Sequence, residues 1–280
     1  MLPNKPLKQL VAERIDASGL ELPIFSETAL ALLQLLTCED VSVQQIEGVI
    51  SRDPALAAEV MRAAGSSFFA GLGELRSLRQ AIQRLGVQAA GQAALVAARR
   101  SLARSPSALI DHHMRRVWRN AQACAVGARW VAKRAGLAGE ADCAFLAGLL
   151  HDIGQLLVLK VIEDITRAHG ELQLSESFLA EILETLHAEQ GAALLAHWNL
   201  PAVYVSIARD HHRDLDETPD PCMAIVRLVD LACRRVGVDG TPDPDALLFA
   251  SREAEALGLA EVQLAELEIA IEDALGLAPA

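Results

Sequence analysis

The stretch Ala144-Phe145-Leu146-Ala147-Gly148-Leu149-Leu150-His151-Asp152-Ile153-Gly154 decides how this chain is read. An unbroken apolar run with helical character ends in an imidazole beside a carboxylate, and a glycine follows two positions on. Two polar side chains at the end of a buried helix cost free energy unless each finds a partner. Metal coordination supplies one kind of partner. A helix-end cap, in which Asp152 orients the His151 ring by a hydrogen bond, supplies another. What the rest of the chain brings to this pair therefore matters most.

Outward from this run the pattern is helical. The 280 residues are 52% hydrophobic but only 4% aromatic, so Leu, Ala, Val and Ile must fill the core. Such a composition with a 3.6-residue period predicts an all-α fold. Helix starts are marked clearly. Ser42-x-x-Gln45 and Ser77-x-x-Gln80 have the capping-box form, and Asp53-Pro54 joins an N-cap carboxylate to a proline at the first helical position. Ser105-Pro106-Ser107 interrupts the pattern, so residues 1–106 are expected to form an N-terminal helical subdomain. A long helix near 108–135 opens a second region, 107–238. Helices are expected there at 155–168, 178–186 and 189–198, and from Pro201 to His211-His212. Residues 237–242 read as a linker. Residues 239–280 form an acidic extension with helices near 244–257 and 260–275, where Leu264, Leu267, Ile271 and Leu275 share one stripe.

The formal charge of −12 argues against direct, sequence-independent nucleic-acid binding, which needs cationic side chains to displace counterions. The charge is uneven. Residues 99–134 hold nine basic side chains against Asp111 alone, and residues 239–280 hold ten acids against Arg252 alone. The basic segment reads first as a solvated helix face. The sharper hypothesis is that the tail docks with its acids facing the 99–134 segment, and the alternative to that is a tail that binds a separate partner. The five cysteines, Cys38, Cys124, Cys143, Cys222 and Cys233, form no Cys-x-x-Cys. Their odd number suits a reducing compartment with buried, inert thiols. The first residues lack an apolar leader, and no uncharged apolar stretch is long enough to span a bilayer. A cytoplasmic protein away from membranes is expected.

Seven positions of the second half stand near helix ends or on helices that also carry apolar residues: Asn120, His151, Asp152, His187, His211, His212 and Asp230. Helix bundles build metal sites from inward side chains of this kind. Imidazole with carboxylate suits iron, manganese, zinc or nickel. Asp230 lies in an apolar run, 225–231, where a carboxylate needs a partner. Alone, His187 reads as a helix-start residue, and His211-His212 as a helix end where imidazole complements the macrodipole. His112-His113 are expected to be exposed, and Trp198 after His197 to fill core.

Several further stretches fall into one ordered pattern. They are Leu22-Pro23-Ile24-Phe25, the 50–56 run with Asp53-Pro54, the 63–69 run ending in Phe68-Phe69, and Ser77-Leu78-Arg79-Gln80-Ala81-Ile82 with Leu85-Gly86. Val117-Trp118, the 147–154 run, Gly191 with Leu194, Trp198 and Pro201, and His211-His212 complete it. Over 22–238 the chain resembles the HDOD family, the HD-related output domain of bacterial signalling proteins, distantly related to HD and HD-GYP phosphohydrolases. The resemblance implies an N-terminal helical subdomain packed on a C-terminal HD-like helical bundle. It also implies a signal-transduction output module, non-catalytic, that touches a regulatory protein partner and takes its input from that partner or a small ligand. HD enzymes hold a hydrolytic metal with a His, the His-Asp doublet and a later Asp. His151, Asp152 and Asp230 match three of these positions, and Asn120 stands at the first. His187, His211 and His212 resemble the further histidines of HD-GYP enzymes.

Two positions depart from the pattern. Asn120 is a poorer ligand than imidazole, and Gln155 replaces the basic residue that usually follows His-Asp-x-Gly. The Gly-Tyr-Pro signature is missing too, with Arg213-Asp214-Leu215-Asp216-Glu217 after the histidine pair. The resemblance then implies no catalytic residues. What remains is a residual site for a divalent metal (iron, manganese, zinc or magnesium) or a ligand, at His151, Asp152, His187, His211, His212 and Asp230. The competing functions are a metal-dependent phosphohydrolase or cyclic-dinucleotide phosphodiesterase, and a sensor that binds a nucleotide without cleaving it.

Overall fold

Caps written in the sequence set where the helices begin. The computed structural model describes residues 7–18, 26–38, 40–66, 75–98, 105–169, 174–213, 220–238 and 240–275, and no strand occurs among them. The helices are α1 (Leu7–Ser18), α2 (Glu27–Leu36), α3 (Val43–Ile50), α4 (Pro54–Ala64), α5 (Leu78–Leu85), α6 (Val87–Ala98), α7 (Ala108–Arg134) and α8 (Ala141–Leu150). They continue with α9 (Ile153–His169), α10 (Glu176–His197), α11 (Ala202–Asp210), α12 (Pro221–Val236), α13 (Arg252–Ala256) and α14 (Glu261–Leu275). Ser42 and Gln45 form the full reciprocal box at α3. Ser77 caps α5, but the Gln80 side chain accepts from Arg76 N–H instead of the cap residue, so only half the expected box forms. The 22–25 motif and Ser67-Phe68-Phe69 lie outside the described residues.

The chain divides into two units. One is Pro23–Arg104, and the other joins Met1–Leu22 to Ser105–Ala280. The first unit packs α2 to α6 around Leu32, Leu33, Ile46, Ile50, Leu56, Ile82 and Leu95, all fully buried.

The second unit carries the candidate site. Its first helix, α1, packs Val11 and Ile15 with this unit, on α9. At its centre α7 lies along α8 at a glycine seam. A Cβ on Gly148 would stand 2.7 Å from the Cys124 carbonyl oxygen, so no larger residue fits without parting the helices. The segment 138–168 is long and apolar enough, by length and composition, to cross a bilayer, yet 89% of its most apolar window is buried inside the fold. It is also broken at His151-Asp152, which form a turn between α8 and α9.

Sequence expectations are corrected at three places. The 178–198 region is one continuous helix, α10, with His187 in its interior and not at a helix start. No glycine or proline interrupts residues 186–190, so nothing stops the helical ladder there. The expected helix at 244–257 shrinks to a 3₁₀ turn, Leu248–Ala250, and the five-residue α13. The Asp243 side chain accepts from Asp245 N–H and holds a local turn, and Ser251 caps a fresh start. His113 is buried, in register with Ile110 and Val117 on the inner face of α7, while His112 is exposed.

The acidic tail docks on α7 and α12, but apolar contact leads. Leu264, Leu267 and Ile271 are buried, and a Cβ on Gly127 of α7 would meet Ile271 and Leu267 at 3.4 Å. Of the tail acids, Glu266 pairs with Arg134 at 2.8 Å. Glu268 and Glu253 instead pair with Arg235 and Arg227 of α12, at 2.6 and 3.0 Å. The tail's charge is thus divided between the basic segment and a helix outside it. Arg99, Arg100 and Arg104 lie outside the described residues.

Candidate metal centre

The end of α8, the start of α9, the middle of α10, the end of α11 and the middle of α12 converge on Asp152. Its Oδ1 lies 3.4 Å from His187 Nε2 and 3.4 Å from His211 Nε2, while its Oδ2 is 3.5 Å from His151 Nε2. His151 Nε2 is also 3.7 Å from Asp230 Oδ1. Asp152, Asp230, His151, His187 and His211 are each at most 8% exposed. His212 is exposed and packs its ring on that of His211, with centroids 4.0 Å apart.

A close helix crossing brings His187 to Asp152. A Cβ on Gly154 would stand 1.9 Å from the His187 carbonyl oxygen and 2.6 Å from Gly191 N. Only two facing glycines let α9 and α10 approach so nearly. The glycine after His-Asp therefore works through packing, placing the α10 imidazole over the carboxylate. Glycine inside a helical pattern was the available signal for such an approach at Gly191.

The backbone orients three of the rings. His151 Nδ1 donates to Gly148 O at 2.9 Å, and His187 Nδ1 donates to Leu183 O at 2.8 Å. His211 Nδ1 is shared between Ile207 O and Ala208 O, at 3.1 and 3.0 Å. A carbonyl oxygen only accepts, so Nδ1 carries the hydrogen in each ring and Nε2 is left facing Asp152. Those three Nε2 atoms and Asp152 Oδ1 are buried without a hydrogen-bond partner. Buried polar groups rarely stay unpaired unless something else satisfies them. Imidazoles that donate one nitrogen to the backbone and present the other inward match the outer-shell arrangement of metal-ligating histidines.

Two ligand groups share the central carboxylate. Asp152, His187, His211 and His212 form one, and His151, Asp152 and Asp230 the other, with the ligand atoms of each lying within 4.8 Å of one another. The residues present thus fit divalent cations of the imidazole- and carboxylate-binding kind. Without a cation the same groups hold one another's charge. Burial opposes ionisation of Asp152, but His151, His211 and His187 together hold its carboxyl well below the usual range. Asp230 is lowered against its burial by His151. Burial pulls His151 down, but Asp152 and Asp230 prevail and raise it to about 9. His212, though exposed as a residue, is lowered to about 4 by desolvation of the ring packed on His211 and by the charge of His211 itself.

Six of the positions singled out in the sequence therefore meet. Asn120 sits half-buried on α7, one turn before Cys124. Gln155 is half-buried in the first turn of α9, its N–H bonded to Asp152 O at 2.9 Å. The sequence reading missed Arg234, whose Nε lies 3.8 Å from Asp230 Oδ2. Its signal was the four-residue spacing from Asp230 along one helix face.

The family model for the HDOD domain matches residues 22–214. The chain belongs to the HDOD family. Among solved structures it is similar to an HDOD domain protein of unknown function from Geobacter sulfurreducens, with a TM-score of 0.66, 22% identity, and coverage of 95% of this chain and 97% of that one. It is also similar to a protein from Shewanella amazonensis SB2B provisionally named a metal-dependent phosphohydrolase, with a TM-score of 0.65, 20% identity, and coverage of 96% and 98%. At such identities these HDOD-like neighbours establish the helical fold. An uncharacterised protein of Treponema pallidum (strain Nichols) is 25% identical over 228 residues, which are 79% of this chain and 42% of that protein. The chain thus spans less than half the length of the curated relative it matches.

Proposed function

We propose that this HDOD chain is a signal-output module whose HD-type centre survives as a non-hydrolytic, metal-binding core. One observation carries the reading: three buried Nε2 atoms and Asp152 Oδ1 converge without a hydrogen-bond partner, each ring fixed by its own backbone carbonyl. His187, His211 and His212 with Asp152 would hold one divalent cation, and His151 and Asp230 would complete a second position across the same carboxylate. A cation bound there supplies positive charge for two buried carboxylates and a Lewis-acid centre. The chain's own residues do the rest. Gly154 and Gly191 bring α10 onto α9, the carbonyls of Gly148, Leu183 and Ile207 aim the rings, and Asp152 lies where α8 to α12 meet. Such a centre braces the bundle that presents an output surface to a regulatory protein partner.

Asn120 and Gln155 support the absence of turnover. Neither gives the imidazole or the basic side chain that the resemblance places there. A second reading, a sensor that holds a nucleotide without cleaving it, draws on Arg234. This arginine is exposed and only loosely engaged with Asp230, so it can meet a phosphate at the edge of the centre.

Elemental analysis of protein purified without chelator, followed by a phosphatase and phosphodiesterase panel with added Mn²⁺ or Fe²⁺, tests the proposal. Metal retained by the wild type, lost from His187→Ala, and accompanied by no hydrolysis is the expected result. Turnover that His151→Ala abolishes would overturn it.

A further inference from the structure

Cys143 and Cys222 stand apart from the metal centre, and the proposed function does not use them. Cys143 lies in the first turn of α8, and Cys222 in the first turn of α12. Their Sγ atoms are 3.6 Å apart although 79 positions separate them in the chain. Cys222 is buried and Cys143 half-buried, so a small oxidant reaches Cys143 first. Tyr204 of α11, the chain's single tyrosine, stands close enough to Cys143 to influence its thiol.

The two sulfurs are not equivalent. The hydrogen bond from Cys222 lowers Cys143 to about 7, with Tyr204 adding to this and burial, Glu140 and Asp220 opposing it. Cys222 is pushed up, first by that same bond and then by burial. One thiol is thus the nucleophile and its neighbour holds a proton. The remaining cysteines differ. Cys124 meets Cys233 in the interior, where that contact and burial push it up, and exposed Cys38 donates to Gln34 O. The sequence expectation of buried thiols holds for Cys124, Cys222 and Cys233 but not for half-buried Cys143 or exposed Cys38.

We propose that Cys143 and Cys222 form a peroxide-sensitive dithiol, which closes to a disulfide that pins the first turns of α8 and α12 together. The Cys143 thiolate attacks one oxygen of hydrogen peroxide. The O–O bond breaks, leaving a sulfenic acid on Cys143 and a hydroxide that takes up a proton. The Cys222 sulfur then attacks the Cys143 sulfur. The S–S bond forms, the S–O bond breaks, and the departing hydroxide leaves as water with the Cys222 proton. Two thiols are oxidised, and one peroxide is reduced to two waters. The placement gives the bond structural reach. His151 follows Cys143 by eight residues and Asp230 follows Cys222 by eight, so the link sits about 12 Å along each helix from the contact between those two side chains.

The test treats the full chain with equimolar hydrogen peroxide and maps peptides without reduction. A Cys143–Cys222 crosslinked peptide, reversed by dithiothreitol and accompanied by a shift in melting temperature, is expected. Cys222→Ser and Cys222→Ala should lose the crosslink and the shift, and should instead trap dimedone on Cys143. Whichever of the two is folded by circular dichroism serves. Absence of the crosslink in the wild type, or dimedone labelling of Cys38 in place of Cys143, would overturn the proposal.

Discussion

Gly154→Ala separates a packing role for the glycine after His-Asp from a purely conformational one. The added Cβ would lie 1.9 Å from the His187 carbonyl oxygen. The obstacle is backbone, so no side chain can swing aside. Clearing it to 3.0 Å takes about 1.1 Å of separation between α9 and α10. Helix propensity favours the alanine by about 1 kcal/mol. Overpacking typically costs about 1–3 kcal/mol and sometimes more, and here the clash is with backbone on a rigid helix. A backbone clash sits at or above the top of that range, so after the propensity gain the net loss should be about 2 kcal/mol or more. The same movement carries His187 away from Asp152, and ligand distances tolerate only about 0.2 Å. Affinity for Zn²⁺ or Mn²⁺ should therefore drop at least about tenfold. Urea denaturation at constant m-value reads the stability, and calorimetric titration of chelator-treated protein reads the affinity. An alanine variant as stable as the wild type, with an unchanged Kd, would refute the close-crossing argument.

Other outcomes follow from the same geometry. In metal-free protein His151 is raised to about 9, so its contribution is fully present below about pH 6.5 and is lost as pH rises through 9. Asp152 and Asp230 are lowered, so their contribution is present above about pH 4 and is lost as pH falls. Thermal melts of chelated protein should peak between these limits, and His151→Gln should flatten the alkaline decline, on the order of 3 kcal/mol. Asp152→Asn removes the charge common to both ligand groups, and equilibrium dialysis should show metal retention falling at both positions together. In the tail, Leu267→Ala should cost about 2–5 kcal/mol. Glu266→Ala should cost under about 1 kcal/mol, because both partners of its ion pair are half-exposed. Chemical denaturation at low and high salt would show which force docks α14, and strong salt sensitivity of the wild type would count against apolar docking.

The helices were legible because their signals are local. Ser42, Asp53 and Ser77 each mark a start that the structure keeps, and the 264–271 stripe is buried as its period predicts. The sequence misleads where a polar residue punctuates an apolar pattern. His187 reads as a helix start because it stands just ahead of Glu189. Its reason to be there lies across space, in Asp152 and the Gly154 crossing. The same limit applied to the tail. Opposite charges are visible in one dimension, but three buried aliphatic side chains outweigh exposed ion pairs worth about 0–1 kcal/mol each.

The candidate site was legible as a set of residues but not as chemistry. A sequence can list His151, His187 and His211, yet it cannot say which ring nitrogen is left over. That depends on helical geometry, in which Nδ1 reaches back to a carbonyl three or four residues earlier and Nε2 is turned inward. Had the rings been capped through Nε2 instead, the same residues would make a satisfied core network with nothing to offer a cation. The decisive quantity is thus the orientation of three rings around one carboxylate. An exchange of Asp152 for leucine probes it directly: a structural network should lose only stability, whereas a ligand cluster should also lose its metal.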